Sequence, residues 1–213
     1  RPHIREREVQ EVLANIDTDL AKQVGQNLGI EVPDLKENFK QASIEKSEKL
    51  SMQAFIPEDI QGRKIAVLIH DKVNAETLRT IINWSIQENA IVHLLTPMLA
   101  PVKGSRDEVI TSDGMQKAEP SIIYDAVVIA DGDNLDAVLA DGVTKHYLLE
   151  AYKHLKPIVF LGDKAELLDQ LNLMSDEGTL LQDDFRHVAE KLKQLLRHHR
   201  IWAREAMAEA IPA

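Results

Sequence analysis

The spacing of apolar residues predicts two consecutive helices at the start of the chain. Seven apolar residues recur there at helical intervals, which places them on one face: Val9, Val12, Leu13, Ile16, Leu20, Val24 and Leu28. Asp17 is a residue type that caps helix N-termini, and Gly29 is placed to end a helix. We therefore expect a second helix to begin after Asp17 and to end at Gly29.

The region after these helices has the composition of a linker. Residues 31–50 are polar and contain Pro33 together with a run rich in lysine and glutamate. From Lys64 onward the pattern changes to short apolar runs. We predict a helical connector and linker over residues 1–62 and a domain over residues 63–213.

Strand and helix patterns alternate through this domain. Four short apolar runs predict strands, namely Lys64–Ile69, Ile91–Leu95, Ala126–Ala130 and Pro157–Leu161. We expect the first to be buried on both faces and the third to be buried as well. Helical spacing covers residues 75–88, 143–154 and 184–199. Because alternating strands and helices form right-handed βαβ units, the predicted fold is α/β: a doubly wound, mostly parallel sheet with helices on both faces.

One segment carries a local hairpin signal. Val109–Met115 contains the dipeptide Asp113-Gly114, a type that forms tight turns between antiparallel strands. The pattern predicts a small hairpin centred on this turn.

Composition narrows the classes of partner. The chain has 213 residues and a formal charge of −10, and neither lysine nor arginine forms a stripe, which argues against nucleic acid and anionic membranes. It has no cysteine, and no apolar run reaches the roughly 18 residues that would cross a bilayer. The chain begins with Arg1 rather than Met, which we interpret as truncation. We expect a cytoplasmic protein.

Ligands of doubly wound sheets bind beyond the carboxyl ends of the strands, so the loops there are the candidate sites. These loops are His70–Asn74, Thr96–Met98, Ala130–Asn134 and Gly162–Lys164. A phosphoaspartate site built from Asp71, Asp131 and Lys164 would lack the second acid that a magnesium ion needs. A phosphate or flavin site is disfavoured because carboxylates flank both glycines of these loops.

Nucleophilic catalysis is disfavoured as well. Thiol chemistry is excluded because the chain has no cysteine. A serine hydrolase would need its nucleophile at the sharp turn after Leu161, where this chain has Gly162.

Two segments of the domain resemble the intracellular-protease and class I glutamine-amidotransferase-like superfamily. In Tyr124–Gly132, Ala130 and Asp131 replace the first two residues of that superfamily's Pro-Gly-Gly turn and leave Gly132. Glu150–Leu161 matches the helix and strand before its nucleophilic cysteine. The resemblance places Gly162 at the cysteine and Asp163 at the following histidine, while the residues nearest the priming acid are Val73, Asn74 and Glu76. It therefore implies a vestigial pocket of Asp131, Gly132, Gly162 and Asp163 with no catalytic residue, cofactor or metal.

The chain as a whole resembles the C-terminal region of large-subunit bacterial catalases. The resemblance rests on segments in the same order along the chain: Arg1–Arg7, Leu13–Asp17, Asn27–Ile30, Tyr147–Pro157, His199–Arg204 and Ile211–Ala213. It implies a flavodoxin-like domain whose parent is a homotetramer that disproportionates hydrogen peroxide. Haem and its ligands belong to the upstream region of such enzymes, so we assign no haem role to Tyr124, Tyr147 or Tyr152.

The resemblance leaves two classes of function open. In the first, the domain packs on the catalase core and the other subunits, stabilises the enzyme, and acts as a holdase for unfolded clients. The holdase surface would be the helical face of Val9, Val12, Leu13, Ile16 and Leu20. In the second, it is a diverged hydrolase or a small-ligand-binding domain.

Overall fold

The computed structural model describes residues 1–33, 55–133, 140–162, 165–208 and 210–211. The chain divides into two compact units: Arg1–Phe55 with Trp202–Met207, and Ile56–Ile201 with Ala208–Ala213. The predicted linker over residues 31–50 lies largely outside the described residues. The predicted boundary after residue 62 stays a prediction.

The described elements are these. The helices are α1 Pro2–Arg7, α2 Ala14–Ile16, α3 Thr18–Leu28, α4 Ala75–Gln87, α5 Gly142–Lys153, α6 Ala165–Leu171, α7 Ala189–His198 and α8 Glu205–Ala208. A π-helical turn covers Glu8–Leu13, and 3₁₀ turns cover Ser121–Ile123, Phe185–His187 and Trp202–Arg204. The strands are β1 Lys64–Leu68, β2 Ile91–Thr96, β3 Val102–Lys103, β4 Val109–Ile110, β5 Gly114–Met115, β6 Ala126–Ile129, β7 Ile158–Leu161 and β8 Thr179–Gln182.

The first unit is helical, and its helix ends follow from particular residues. The carboxylate of Asp17 accepts a hydrogen bond of 2.9 Å from the backbone N–H of Leu20, which caps α3. Gly29 ends α3 with φ +66°, a left-handed conformation that glycine adopts without strain. Both predictions for this helix are confirmed. An ion pair between Arg5 and Glu205 joins α1 to α8.

The second unit is built on a six-stranded sheet with the order β5-β2-β1-β6-β7-β8. Every neighbouring pair in it is parallel. Without the two-residue strand β5, the order along the sheet is second, first, third, fourth and fifth, which is the flavodoxin-like arrangement. The predicted fold class is confirmed.

Apolar side chains cover both faces of this sheet. On one face, Ile65, Val67 and Val128 pack in a cluster with residues of α4 and α7, including Leu78, Ile81, Leu192 and Leu196. On the other, Leu68, Val127 and Ile129 pack with residues of α5 and α6, including Tyr147, Leu148 and Leu168. Strands buried on both faces need apolar residues at successive positions, which explains the continuous runs in the sequence. Each such buried side chain contributes about 1.5–3 kcal/mol.

The predicted hairpin over Val109–Met115 is wrong. β4 pairs antiparallel with β3, whereas β5 joins the sheet as a parallel neighbour of β2. Asp113 explains the difference, because its backbone N–H donates to Leu94 O and its carboxylate accepts from Leu94 N, both at 2.8 Å. These two bonds tie the Asp113-Gly114 segment to β2 instead of folding it back on β4.

Lys156 is a buried cation between α5 and β7, with 1% of its surface exposed. Its ammonium group donates to the backbone carbonyls of Tyr124 and Ile122. Burial, followed by repulsion from Arg200, lowers the pKa of Lys156 to about 8.

This lowered pKa makes stability depend on pH. Between pH 8 and the ordinary lysine pKa of 10.5, the unfolded chain binds a proton that the folded chain does not, so raising the pH favours folding. We expect the contribution of Lys156 to the free energy of unfolding to rise by about 2 kcal/mol from pH 7 to pH 9.5. Urea denaturation of the wild type and of Lys156→Met across this pH range gives the free energy of unfolding of each. The contribution of Lys156 is the difference between the two slopes of that free energy against pH. Equal slopes would contradict the assignment.

Candidate functional site at the carboxyl ends of the strands

The loops after β1 and β6 meet where the strand order reverses, the place where doubly wound folds open a ligand crevice. In this chain the backbones of the two loops contact each other at that place. Val73 is fully buried and forms isolated bridges with both Gly104 and Gly132. Asn74 N donates to Asp131 O at 2.9 Å, and Asp133 N donates to Lys72 O at 3.3 Å. The crevice at the switch point is therefore closed by main-chain hydrogen bonds.

Gly132 is required by this closure. A Cβ atom at residue 132 would lie 2.5 Å from Lys72 O and 2.9 Å from the Cα of Val73, both backbone atoms, and 2.8 Å from the His70 ring. Any side chain here would force the two loops apart.

Asp131 lies beside Gly132 and is held by Asn74. The Asn74 amide donates to one oxygen of the Asp131 carboxylate at 3.1 Å. The amide oxygen of Asn74, Oδ1, accepts a hydrogen bond from Glu76 N at 3.0 Å and caps α4. The second carboxylate oxygen of Asp131 is buried and has no hydrogen-bond partner among the described residues.

Gly162 follows β7 at the position where the resemblance expects a nucleophilic cysteine. Its φ is +94°, a conformation that residues with a side chain rarely adopt. Its backbone N–H donates to Gln182 O of β8 at 2.9 Å. The sharp turn after β7 is present, and its first residue, Gly162, has no side chain.

Asp131, Gly132 and Gly162 line one open depression of about 390 Å³. Its rim carries charges of both signs, from Lys72, Arg106, Glu76 and Asp133. Hydrogen bonding to Asp107 raises the pKa of Lys72 and lowers that of Asp107, so this exposed pair stays ionised. Among the described lining residues only Ser105 carries a hydroxyl, and none is a histidine. The arrangement can hold a small polar molecule, but it lacks a nucleophile beside a base.

The other sequence-predicted positions are distributed as follows. Asp163 and Lys164 lie outside the described residues. The carboxylate of Asp71 accepts from Lys103 N at 2.9 Å and so anchors β3. Both ring nitrogens of the buried His70 lie against carbonyl oxygens, of Asp71 at 2.8 Å and of Ala130 at 3.3 Å. Within the described ranges, no three metal-binding side chains lie close enough together to hold an ion.

Sequence reasoning missed the closure itself and a second depression, lined by Gln116 and Tyr147. No local sequence pattern predicts either feature, because both arise from contacts between residues far apart in the chain.

No helix in the described part of the chain has the length and apolar character that a bilayer crossing requires.

Comparison with known proteins gives a family match. The model of the C-terminal domain found in long catalases matches residues 61–206. Catalase HPII of Pseudomonas aeruginosa is 39% identical over 214 residues, and Catalase HPII of Pseudomonas putida is 40% identical over 216. Catalase-B of Dictyostelium discoideum is 34% identical over 216 residues. Each match covers 100% of this chain but only 30%, 30% and 31% of the relative, so the chain spans about a third of their length.

A solved structure from Anabaena variabilis, with DJ-1/ThiJ/PfpI-like and ferritin-like domains, gives a weaker match. It is 23% identical, with a TM-score of 0.49, over 54% of this chain and 33% of its own. The fold assignment rests on the strand order of the sheet and not on this likeness.

Substitution of Gly132 by Ala tests the backbone closure. Because the added methyl group meets main-chain atoms that cannot rotate away, we expect a loss of at least about 2 kcal/mol in the free energy of unfolding. Gly142→Ala is the matched control, since a Cβ there meets nothing within 4 Å, and it should change stability by less than about 0.5 kcal/mol. Urea denaturation measures both. Similar values for the two variants would refute the proposed closure.

Proposed function

The chain belongs to the family of C-terminal domains found in long catalases, and from this membership we propose that it serves its parent enzyme as a non-catalytic, stabilising domain. The parent would be a haem-containing homotetramer that converts hydrogen peroxide to water and oxygen. The domain would pack on the catalase core and the other subunits. A cytoplasmic location stays a prediction.

The observation that carries the non-catalytic role is Gly162. A hydrolase of the superfamily that this domain resembles needs a reactive side chain at the turn after β7, and glycine has none. The bridge between Val73 and Gly132 supports the same role, because main chain occupies part of the crevice where a doubly wound fold would bind its substrate. The vestigial pocket of Asp131, Gly132, Gly162 and Asp163 is thus proposed as a relic.

We propose that Tyr124, Tyr147 and Tyr152 do not bind haem. A tyrosine binds haem iron as tyrosinate. Burial, with added repulsion from Glu119, raises the pKa of both Tyr124 and Tyr147. The Tyr152 hydroxyl lies within hydrogen-bond distance of Met174 O and the Asp176 carboxylate. We therefore place the haem of the parent outside this chain.

The helical unit supports a stabilising role through its exposed apolar side chains. Val12, Ile16 and Leu20 are 39%, 62% and 44% exposed. Val9, by contrast, is buried and Leu13 is half-buried, so only part of the face predicted for clients is available. Exposed apolar side chains such as these three are typical of a surface that another domain covers. We assign its cover to the catalase core of the parent.

Substitutions in the full-length protein test this role. Ile16→Ser combined with Leu20→Ser removes apolar area from the proposed contact, so we expect a shorter half-life of peroxide activity at elevated temperature with kcat unchanged. Asp131→Asn should leave kcat unchanged, because the strand-end depression takes no part in turnover. Oxygen release measures kcat, and thermal inactivation measures the half-life. A lower kcat in Asp131→Asn, or haem bound by the 213-residue chain alone, would contradict the proposal.

The exposed side chains of Val12, Ile16 and Leu20 also support a second role, as a holdase that binds unfolding chains. We expect the 213-residue chain to suppress the thermal aggregation of an unrelated enzyme at a stoichiometric ratio, measured by light scattering. The Ile16→Ser, Leu20→Ser variant should lose at least half of this effect.

Ile86→Ser is the matched control for the holdase measurement, since Ile86 is 67% exposed on a different helix, α4. It should suppress aggregation as the wild type does. A folded wild-type chain that suppresses nothing would remove the holdase role. Hydrolysis of esters or peptides by the chain would instead favour the diverged-hydrolase alternative.

A further inference from the structure

A second depression lies between the segment 116–120 and the first half of α5. Its volume is about 420 Å³, within the size range of small-molecule sites. Its walls include the apolar side chains of Pro120 and Val143, and Lys117 and His146 stand at its exposed rim.

Two buried polar side chains that line this depression have atoms without a partner. Tyr147 and Gln116 are 2% and 3% exposed. The hydroxyl of Tyr147 and one atom of the Gln116 side-chain amide have no hydrogen-bond partner among the described residues. Buried polar atoms are almost always paired in folded proteins, so two unpaired ones at one pocket indicate that a ligand completes them.

The hydrogen bonds of Thr144 show what Gln116 offers to a ligand. Thr144 Oγ1 lies 3.0 Å from the Asp141 carboxylate and 3.1 Å from the Gln116 amide oxygen. The hydroxyl has one proton, which the carboxylate accepts as the stronger acceptor, so Thr144 can only accept from Gln116. A half-turn of the amide satisfies this requirement, since Nε2 then donates to Thr144. The unpaired buried atom of Gln116 is then its oxygen, a hydrogen-bond acceptor.

The charges around Tyr147 favour a cation. Glu150 also lines the depression, and its carboxylate accepts from Ser121 Oγ at 3.3 Å. Burial raises the pKa of Tyr147, and the negative charges of Glu119 and Glu150 raise it further. The hydroxyl therefore stays protonated in a negative potential. Lys117 and His146 act against a cation only at the rim, where water screens them.

We propose that this depression is a binding site for a small organic cation that carries N–H donors on an apolar body, such as an amidinium or a primary ammonium compound. The donors reach Gln116 Oε1 and the Tyr147 hydroxyl, Glu150 balances the charge, and Pro120 and Val143 contact the apolar body. The site is independent of the proposed role in the parent enzyme.

Benzamidinium is a suitable probe, because it joins a planar cation with N–H donors to an aromatic ring. In a titration of the ¹⁵N-labelled 213-residue chain followed by two-dimensional NMR, we expect shifts confined to residues around 116–120 and 142–150. The dissociation constant should be in the millimolar range or lower. Benzoate has the same shape with the opposite charge, and it should bind at least about tenfold more weakly.

Substitutions separate the proposed site from nonspecific binding. Tyr147→Phe and Glu150→Gln should each weaken benzamidinium binding by about tenfold, since each removes one polar contact. Tyr152→Phe is the matched control on the same helix, and it should bind benzamidinium as the wild type does. Without ligand, Tyr147→Phe should unfold at the same temperature as the wild type or a higher one, because the lost hydroxyl has no partner.

Three outcomes would overturn the proposal. The first is an absence of benzamidinium-induced shifts in these two segments. The second is benzoate binding as tight as benzamidinium binding. The third concerns Tyr147→Phe: undiminished affinity would show that the hydroxyl does not contact the ligand, and a clear loss of stability without ligand would show that the hydroxyl already has a partner in the free protein.

Discussion

The candidate site depends on one close approach of backbone to backbone, between Gly132 and the carbonyl of Lys72. This approach lets Val73 bridge two neighbouring segments, and it brings Asn74 within reach of Asp131. Asn74 in turn caps α4, so the loop after β1, the loop after β6 and the start of α4 are fixed together. A doubly wound fold normally leaves this place open for a ligand. Here main-chain hydrogen bonds join the two loops at this place, beside the open depression that Asp131, Gly132 and Gly162 line.

The sequence was most informative for strands buried on both faces. β1, β6 and β7 have continuous apolar runs because every position on them except the exposed Lys64 belongs to one of the two core clusters. β8 was missed, since it is short and only Thr179 of its four residues is buried. The hairpin prediction failed for a different reason. Asp113-Gly114 is a genuine local turn signal, but the two bonds from Asp113 to Leu94 override it.

Parallel topology alone brings the residues after β6 and β7 to one edge of a sheet, and on this basis Asp131, Gly132 and Gly162 could be grouped from the sequence. The closure could not be predicted from the sequence. It joins residues distant in the chain, Val73, Gly104 and Gly132, through backbone atoms that every residue has. The second depression is hidden for a similar reason. A buried Gln116 or Tyr147 is ordinary by itself, and only the absence of partners among the described residues distinguishes them.

The two depressions differ in how their polar groups are used, and this difference bears on function. At the strand ends, Asn74 and the main chain serve the fold, and the position of the nucleophile holds glycine. At the second depression, the Tyr147 hydroxyl costs stability in the free protein and pairs with nothing among the described residues. Phenylalanine would fill the same space without that cost. A tyrosine at this position is therefore better explained by a bound partner than by the fold.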